Sequence, residues 1–201
     1  MKRLPLVVAA LSLSTLALSA CEPITMAIGA GATVGTAAAE DRGFEGAVDD
    51  TKIRAQINDL WFRADAEMYQ KVSLTVHEGR VMLTGSVKKP EQRVEAVRLS
   101  WQAAGVREVI DEIQVEDQSG VIDYGRDVVI ANNLRARLMF DSKIKNINYT
   151  VDVVNGVVYL MGVAQDGDEL DRVIAHARDI SNVKKVISHV VLKNDPSRHS
   201  S

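Results

Sequence analysis

The chain is poor in the residues that most catalytic and metal sites need. Of its 201 residues one is cysteine and four are histidine, and aromatics make up only 4%. The lone cysteine, Cys21, excludes an intramolecular disulfide and a cysteine-based metal site. His77, His176, His189 and His199 lie far apart in sequence, and no two have zinc-ligand spacing on one face. No serine stands in a nucleophile-elbow context. Basic residues are outnumbered, 24 against 27 acidic, which is the wrong balance for a general nucleic-acid binder. The composition therefore argues against an enzyme, a metal, a cofactor or a nucleic-acid partner.

What is present begins at the N-terminus. Lys2 and Arg3 precede an apolar, small-residue stretch from Leu4 to Leu18. That is too short for an ordinary spanning helix and reads as an export signal over residues 1–20. Leu18-Ser19-Ala20-Cys21 resembles the bacterial lipobox, in which cleavage leaves the cysteine as an acylated N-terminus. Cys21 is thus the expected lipidation site, and several acyl chains on it would anchor stably where one alone would not. Glu22 follows, and a residue other than Asp there resembles the outer-membrane sorting pattern. Removing Lys2 and Arg3 leaves 22 basic against 27 acidic residues, a net charge of about −5.

Residues 21–48 are Gly/Ala-rich and read as a tether. Gly29-x-Gly31-x-x-x-Gly35 has neither the dinucleotide spacing nor a preceding strand. Gly43-Phe-Glu-Gly46 has a GxxG form but no pair of flanking helices, so it does not read as an RNA-binding loop.

The rest is a self-repeat at a constant offset of 77 positions. Val76, Gly79, Val81, Leu83 and Gly85 return as Val153, Gly156, Val158, Leu160 and Gly162. Val106, Val109, Ile110 and Ile113 return as Val183, Val186, Ile187 and Val190. One register held through turns and apolar positions means one module used twice. The expected boundaries are 49–117 and 124–193, with a linker at 118–123 and a disordered tail at 194–201.

Each module reads α-β-β-α-β. Asp49 or Asp50 is expected to cap a helix with the stripe Ile53, Ile57, Leu60 and Trp61. Val72, Leu74 and Val76 alternate with polar residues, Glu78-Gly79 turns, and Val81 and Leu83 return on the buried face. A second helix begins at Pro90, where the missing N–H costs nothing. Its expected core stripe is Val94, Val97, Trp101 and Ala104, its stop is Gly105, and Val109–Val115 forms the last strand. In the second copy Asn155-Gly156 is a strong type I′ hairpin signal. Asn182 replaces Gly105, as a left-handed helix end allows. Asp166-Gly-Asp168-Glu169-Leu-Asp171 lacks calcium-loop spacing and reads as an acidic helix start.

The paired Gly-x5-Gly hairpins, each followed by a helix and then Gly105-Val106-Arg-Glu-Val109 or Asn182-Val183-Lys-Lys-Val186, resemble the BON domain. Val48-Asp-Asp-Thr-Lys-Ile53 and Val158-Tyr-Leu-Met-Gly162, behind Cys21, are similar to dual-BON outer-membrane lipoproteins. The resemblance implies an α+β fold with two tandem modules, each having two helices on one face of a three-stranded mixed sheet. It also implies no catalysis, binding to anionic phospholipid, and a part in outer-membrane integrity.

The two copies differ where it matters. On the second module's first helix, Ile130, Leu134 and Leu138 match the core stripe. Val128, Val129, Ala136, Met139 and Phe140 fall on the opposite side, where the first module has Thr51, Lys52, Asp59, Phe62 and Arg63. Arg135, Arg137, Lys143 and Lys145 accompany them. Two uses fit such a helix: packing against the first module, or entering an anionic bilayer interface with the cations on lipid phosphates. The expected lipid-binding set is Val128, Val129, Arg135, Met139, Phe140, Lys143 and Lys145. A different expectation is a periplasmic adaptor that binds envelope proteins and touches lipid only through Cys21.

Overall fold

The computed structural model describes residues 40–41, 43–116 and 121–198. The expected leader, Cys21, most of the tether, the Asp117–Gly120 connection and His199 lie outside the described residues. The first module runs α1 (Gly43–Ala64), α2 (Ala66–Lys71), β1 (Val72–His77), β2 (Arg80–Val87), α3 (Pro90–Ser100), β3 (Glu108–Asp111) and β4 (Gln114–Val115). The second runs α4 (Val121–Phe140), a 3₁₀ turn at Asn146–Asn148, β5 (Tyr149–Val154), β6 (Val157–Ala164), α5 (Gly167–Arg178) and β7 (Lys185–Leu192). No described helix is long and apolar enough to cross a membrane.

The repeat holds its register in three dimensions. Val76 pairs with Val81 and Val81 with Val109; Val153 pairs with Val158 and Val158 with Val186. In each sheet the central strand is antiparallel to its hairpin partner and parallel to the strand after the helix. Each module is thus a mixed sheet with its helices packed on one face, as the resemblance implies. The single last strand expected at Val109–Val115 is split into β3 and β4, because the Asp111 carboxylate accepts from the Ile113 amide and turns Ile113 into the core.

Three sequence expectations need correction. First, α1 begins at Gly43, inside the span assigned to the tether, so Asp50 is not its cap. Asp50 is buried mid-helix, and its two carboxylate oxygens accept from the Glu78 and Gly79 amides, both at 2.9 Å. Asp127 does the same for Asn155 (2.6 Å) and Gly156 (2.8 Å). All four turn residues have positive φ, from 53° to 79°. Such a turn aims two consecutive N–H groups at one anion, so a helix carboxylate pins each hairpin. Asp127→Ala leaves both amides without this acceptor and should cost about 3 kcal/mol, read as a lower midpoint in chemical unfolding.

Second, Val94, Trp101 and Ala104 are exposed; the buried side of α3 is Gln92, Ala96, Leu99 and Ser100, continued by Ala103. The indole N–H of Trp61 donates to the Ala96 carbonyl (3.1 Å), which fixes that face against α1. Third, the tail is not free. Residues 196–198 form a 3₁₀ turn, and Arg198 pairs with Glu78 of the first module's hairpin, Nε to Oε2 at 2.9 Å. Arg107 donates to the carbonyls of Ser197 and Arg198.

Burial pushes the Glu78 carboxyl up, but the Arg198 guanidinium outweighs it and holds the group below its ordinary value. A lowered folded-state pKa adds stability above the unfolded value and loses it as pH falls through the folded one. Arg198→Gln should therefore lower the melting temperature at neutral pH. Its deficit should close progressively below about pH 4, near the ordinary Glu pKa.

The modules meet through the sheet faces that their own helices leave bare. Met82 of β2 packs against Tyr159 and Met161 of β6, flanked by Ile110, Val154, Val157 and Ile187. Around this patch Thr84 donates to Asp152, Arg80 to the His189 carbonyl (3.0 Å), and Gln114 to the Tyr159 hydroxyl (3.1 Å). His189 and Glu112 lie 2.9 Å apart. His77, the last residue of β1, is buried.

Asp41, just ahead of α1, is fastened to the second module. Lys145 and Lys193 reach it at 3.2 and 3.1 Å, and the Asn148 and Gln165 amides also donate to it. Burial raises its carboxyl and these donors lower it further than burial raises it, so it lies well below the usual range.

Candidate functional site

Helix α4 positions the site. Its inward side carries Asp127, Ile130, Ala131, Leu134 and Leu138, all buried and following the helical repeat. The geometry that buries those residues turns Val128, Val129, Met139 and Phe140 to solvent, with exposures of 40, 58, 59 and 82%. The first module does not cover them, because the junction uses the sheet faces instead. Packing between modules, one of the two uses open to this face in sequence, is therefore not what the structure contains. Ala136 is only half-buried and adds little surface.

The cations expected beside this face are not equivalent. Arg135 is exposed, but its guanidinium donates to the Val151 carbonyl at 2.6 Å, which holds it along the edge of β5. Arg137 pairs with Asp179 at 2.6 Å. Lys143 is exposed, just beyond Phe140, in a turn stabilised by its amide donating to Asp141. A hydrogen bond from the His176 ring holds that aspartate below its ordinary value, with the Lys143 amide next in effect. Lys145 is half-buried and committed to Asp41. Two cations, Arg135 and Lys143, thus flank the apolar tip with room to meet an anion.

Sequence reasoning missed Tyr124, which is 73% exposed one turn before Val128. The i, i+4 spacing to Val128 carries that signal, but a module boundary at 124 leaves the residue on the edge of the linker. The acidic run after β6 is a helix start, as expected. Asp166 accepts from the Glu169 amide (2.9 Å), and Glu169 accepts from the Gln165 amide (3.0 Å), a reciprocal cap.

A family model described as the BON domain matches residues 49–117 and 126–194. An uncharacterised protein from the gshII 5′ region of Anaplasma centrale is 39% identical over 152 residues, 75% of this chain and 99% of its own length. The outer membrane lipoprotein DolP of Haemophilus influenzae is 26% identical over 175 residues, covering 87% of this chain and 89% of that one. The osmotically-inducible protein Y of Escherichia coli is 27% identical over 141 residues, covering 69% and 70%.

Proposed function

The chain belongs to the BON-domain family, carrying two such domains in tandem, and from that premise we propose that it is a non-enzymatic envelope lipoprotein binding anionic phospholipid through its second domain. Cys21 carries the acyl anchor, the leaflet is that of the outer membrane facing the periplasm, and the protein supports membrane integrity. The observation that carries this reading is the exposed apolar tip of α4, Met139 and Phe140, beside Arg135 and Lys143. Apolar side chains flanked by cations suit an interface where acyl chains meet phosphates. The outer-membrane assignment draws on the likeness to the lipoprotein DolP.

Co-sedimentation of the chain lacking residues 1–21 with vesicles tests the reading. Binding to anionic vesicles and weak binding to zwitterionic ones is expected, with the difference shrinking as salt screens the surface. Equal absence of binding to both would leave Cys21 as the only lipid contact. Mass spectrometry of the membrane-extracted protein should find Cys21 as the acylated N-terminus.

One observation favours an additional adaptor role. Val94 on α3 and Trp101 at its C-cap are 66 and 52% exposed, while their counterparts in the second module are Asp171 and Arg178. An exposed tryptophan that the fold does not require is a common anchor for a protein partner.

A further inference from the structure

One end of the second module already holds an acidic guest. Asp41, from the segment ahead of α1, sits where β5 begins and β6 and β7 end. The Asn148 side chain reads both its main chain and its carboxylate. Oδ1 accepts from the Asp41 amide at 3.1 Å, and Nδ2 donates to Oδ2 at 2.5 Å. Gln165 donates to the same oxygen, while Lys145 and Lys193 approach the other at 3.2 and 3.1 Å. Reading an amide and its carboxylate together is how a fold takes an acidic residue from a passing segment of chain.

The first module has the same place, differently furnished. A Cβ on Gly85 would meet the Lys71 carbonyl oxygen at 2.1 Å, as one on Gly162 would meet that of Asn148 at 1.9 Å. At the repeat offset Lys71 stands for Asn148 and Lys88 for Gln165, the two residues that converge on one Asp41 oxygen. Lys89 and Gln92 stand for Asp166 and Glu169, and Met68 and Glu116 for Lys145 and Lys193. Two lysines against two acids thus become three lysines against one acid. That acid is engaged, since Glu116 accepts from the Asn155 carboxamide at 3.0 Å. Asp65, within the field of Lys89, caps α2 and accepts from Gln92. Glu67 and Glu91 stand in the first turns of α2 and α3, where helix dipoles favour them. Lys71 shares the module junction with Asp127 and Asp152, whose oxygens serve the second hairpin's amides, Thr84 and the Val153 amide. All three lysines are exposed, and among the described residues no group bonds the Lys71 or Lys88 ammonium.

We infer that the end of the first module at Lys71, Lys88 and Lys89 docks an acidic peptide segment of a partner protein, taking its carboxylate as the second module takes Asp41. Carboxamides with fixed bonds suit a residue of the same chain. Long, flexible ammonium groups suit one that arrives from outside, because they attract at a distance and adjust on contact. The position leaves the site open. Gln114 and Glu116, at this end, bond Val154 and Asn155 of the second hairpin, whereas the α4 tip lies where β5 starts. The six residues of β5 separate the two, a span of about 20 Å. Peptide docking therefore neither requires nor blocks lipid binding at the tip.

The test is a titration of the full chain in zwitterionic detergent micelles, read by backbone amide NMR. The probes are the blocked hexapeptide Ala-Ala-Glu-Asp-Ala-Ala, its Gln-Asn analogue and inorganic phosphate. The acidic peptide should give saturating shifts at Lys71, Gly85 and Lys88, bind at least tenfold more tightly than the analogue, and weaken as salt rises. Lys71→Glu with Lys88→Glu should weaken it at least tenfold. Lys184→Glu with Lys185→Glu makes the same charge change on exposed lysines of the second module, and should leave binding within twofold. Absence of saturation, equal binding of the analogue, or equal loss in both pairs of variants overturns the inference. So do shifts confined to Asn148 and Gln165, which would mean that the peptide displaces Asp41 instead. Phosphate binding as tightly as the peptide overturns it in favour of a phosphate site. Should the Lys71 and Lys88 pair disturb the whole spectrum, Lys88→Gln decides: weakened binding supports the inference and unchanged binding overturns it.

Discussion

Gly162→Ala should unfold the second module, or leave it so weak that it melts far ahead of the first. Gly162 sits in β6 at φ 139°, in the left-handed half of backbone space, and a Cβ there would lie 1.9 Å from the Asn148 carbonyl oxygen. That oxygen belongs to the backbone of the facing segment, so it cannot swing aside as a side chain would. Strain at such a φ costs roughly 1–3 kcal/mol, and forcing apart a packed pair adds about 1–3 more. Together they approach the whole stability of a small domain, roughly 5 kcal/mol at the lower end. For a module of this size each kcal/mol lowers the midpoint by about 4–8 °C. Differential scanning calorimetry should show the drop. Gly85→Ala should do the same to the first module, since its Cβ would stand 2.1 Å from the Lys71 carbonyl oxygen. Gly125→Ala is the control: nothing lies within 4 Å in its helix, so it should be neutral or slightly stabilising. A Gly162→Ala protein that melts like the control would mean that the close approach of the two strands is not rigid.

The same pair of glycines shows how much of the fold is legible in residue identities alone. Repeated Gly-x5-Gly, with hairpin residues at the first glycine, marks the strand pairs and their register. What the sequence hides is the environment of the sheets' other faces. In β6, Val158, Leu160 and Met161 alternate poorly because Tyr159 and Met161 are buried against the first module while Val158 and Leu160 face the helices. A near-continuous apolar run of this kind indicates a strand covered on both sides. Read as a half-exposed hairpin strand, it leaves the junction unassigned and makes α4 the only visible candidate for joining the modules.

The misplaced face of α3 has a different cause. Val94, Val97 and Trp101 keep helical spacing, but so do Gln92, Ala96, Leu99 and Ala103, and a tryptophan outweighs alanines in any apolar pattern. The second copy holds the correction. Trp101 and Val94 align with Arg178 and Asp171, whereas Ala96, Ser100 and Ala103 align with Val173, Ala177 and Ile180, all three buried. Positions small or apolar in both copies mark the core; a position large and apolar in one copy but charged in the other is surface with another purpose. That rule places Phe140, which aligns with Arg63, outside correctly, and applied to α3 it places Trp101 outside as well; Met139 aligns with Phe62, and helix phase rather than the comparison of copies puts it outside.

Met139→Asp combined with Phe140→Ser should abolish binding of the soluble chain to anionic vesicles and leave its melting temperature unchanged. The two side chains are 59 and 82% exposed, so replacing them removes little from the folded interior. In an interface, each large apolar side chain is worth roughly 1.5–3 kcal/mol, and each nearby cation about 1 kcal/mol. Losing both apolar groups while adding one negative charge should weaken binding at least a hundredfold. Lys143→Gln should do less, about fivefold, and Lys145→Gln less still on lipid, because its ammonium already serves Asp41. Lys145→Gln should instead cost stability by loosening the segment ahead of α1. The matching changes in the first module, Phe62→Asp with Arg63→Ser, should leave vesicle binding within about twofold, since Phe62 packs edge-on against Tyr69 at 5.7 Å between centroids and Arg63 pairs with Asp59. If the second-module pair binds anionic vesicles as the natural chain does, its exposed apolar tip serves a protein partner, and the adaptor reading takes its place.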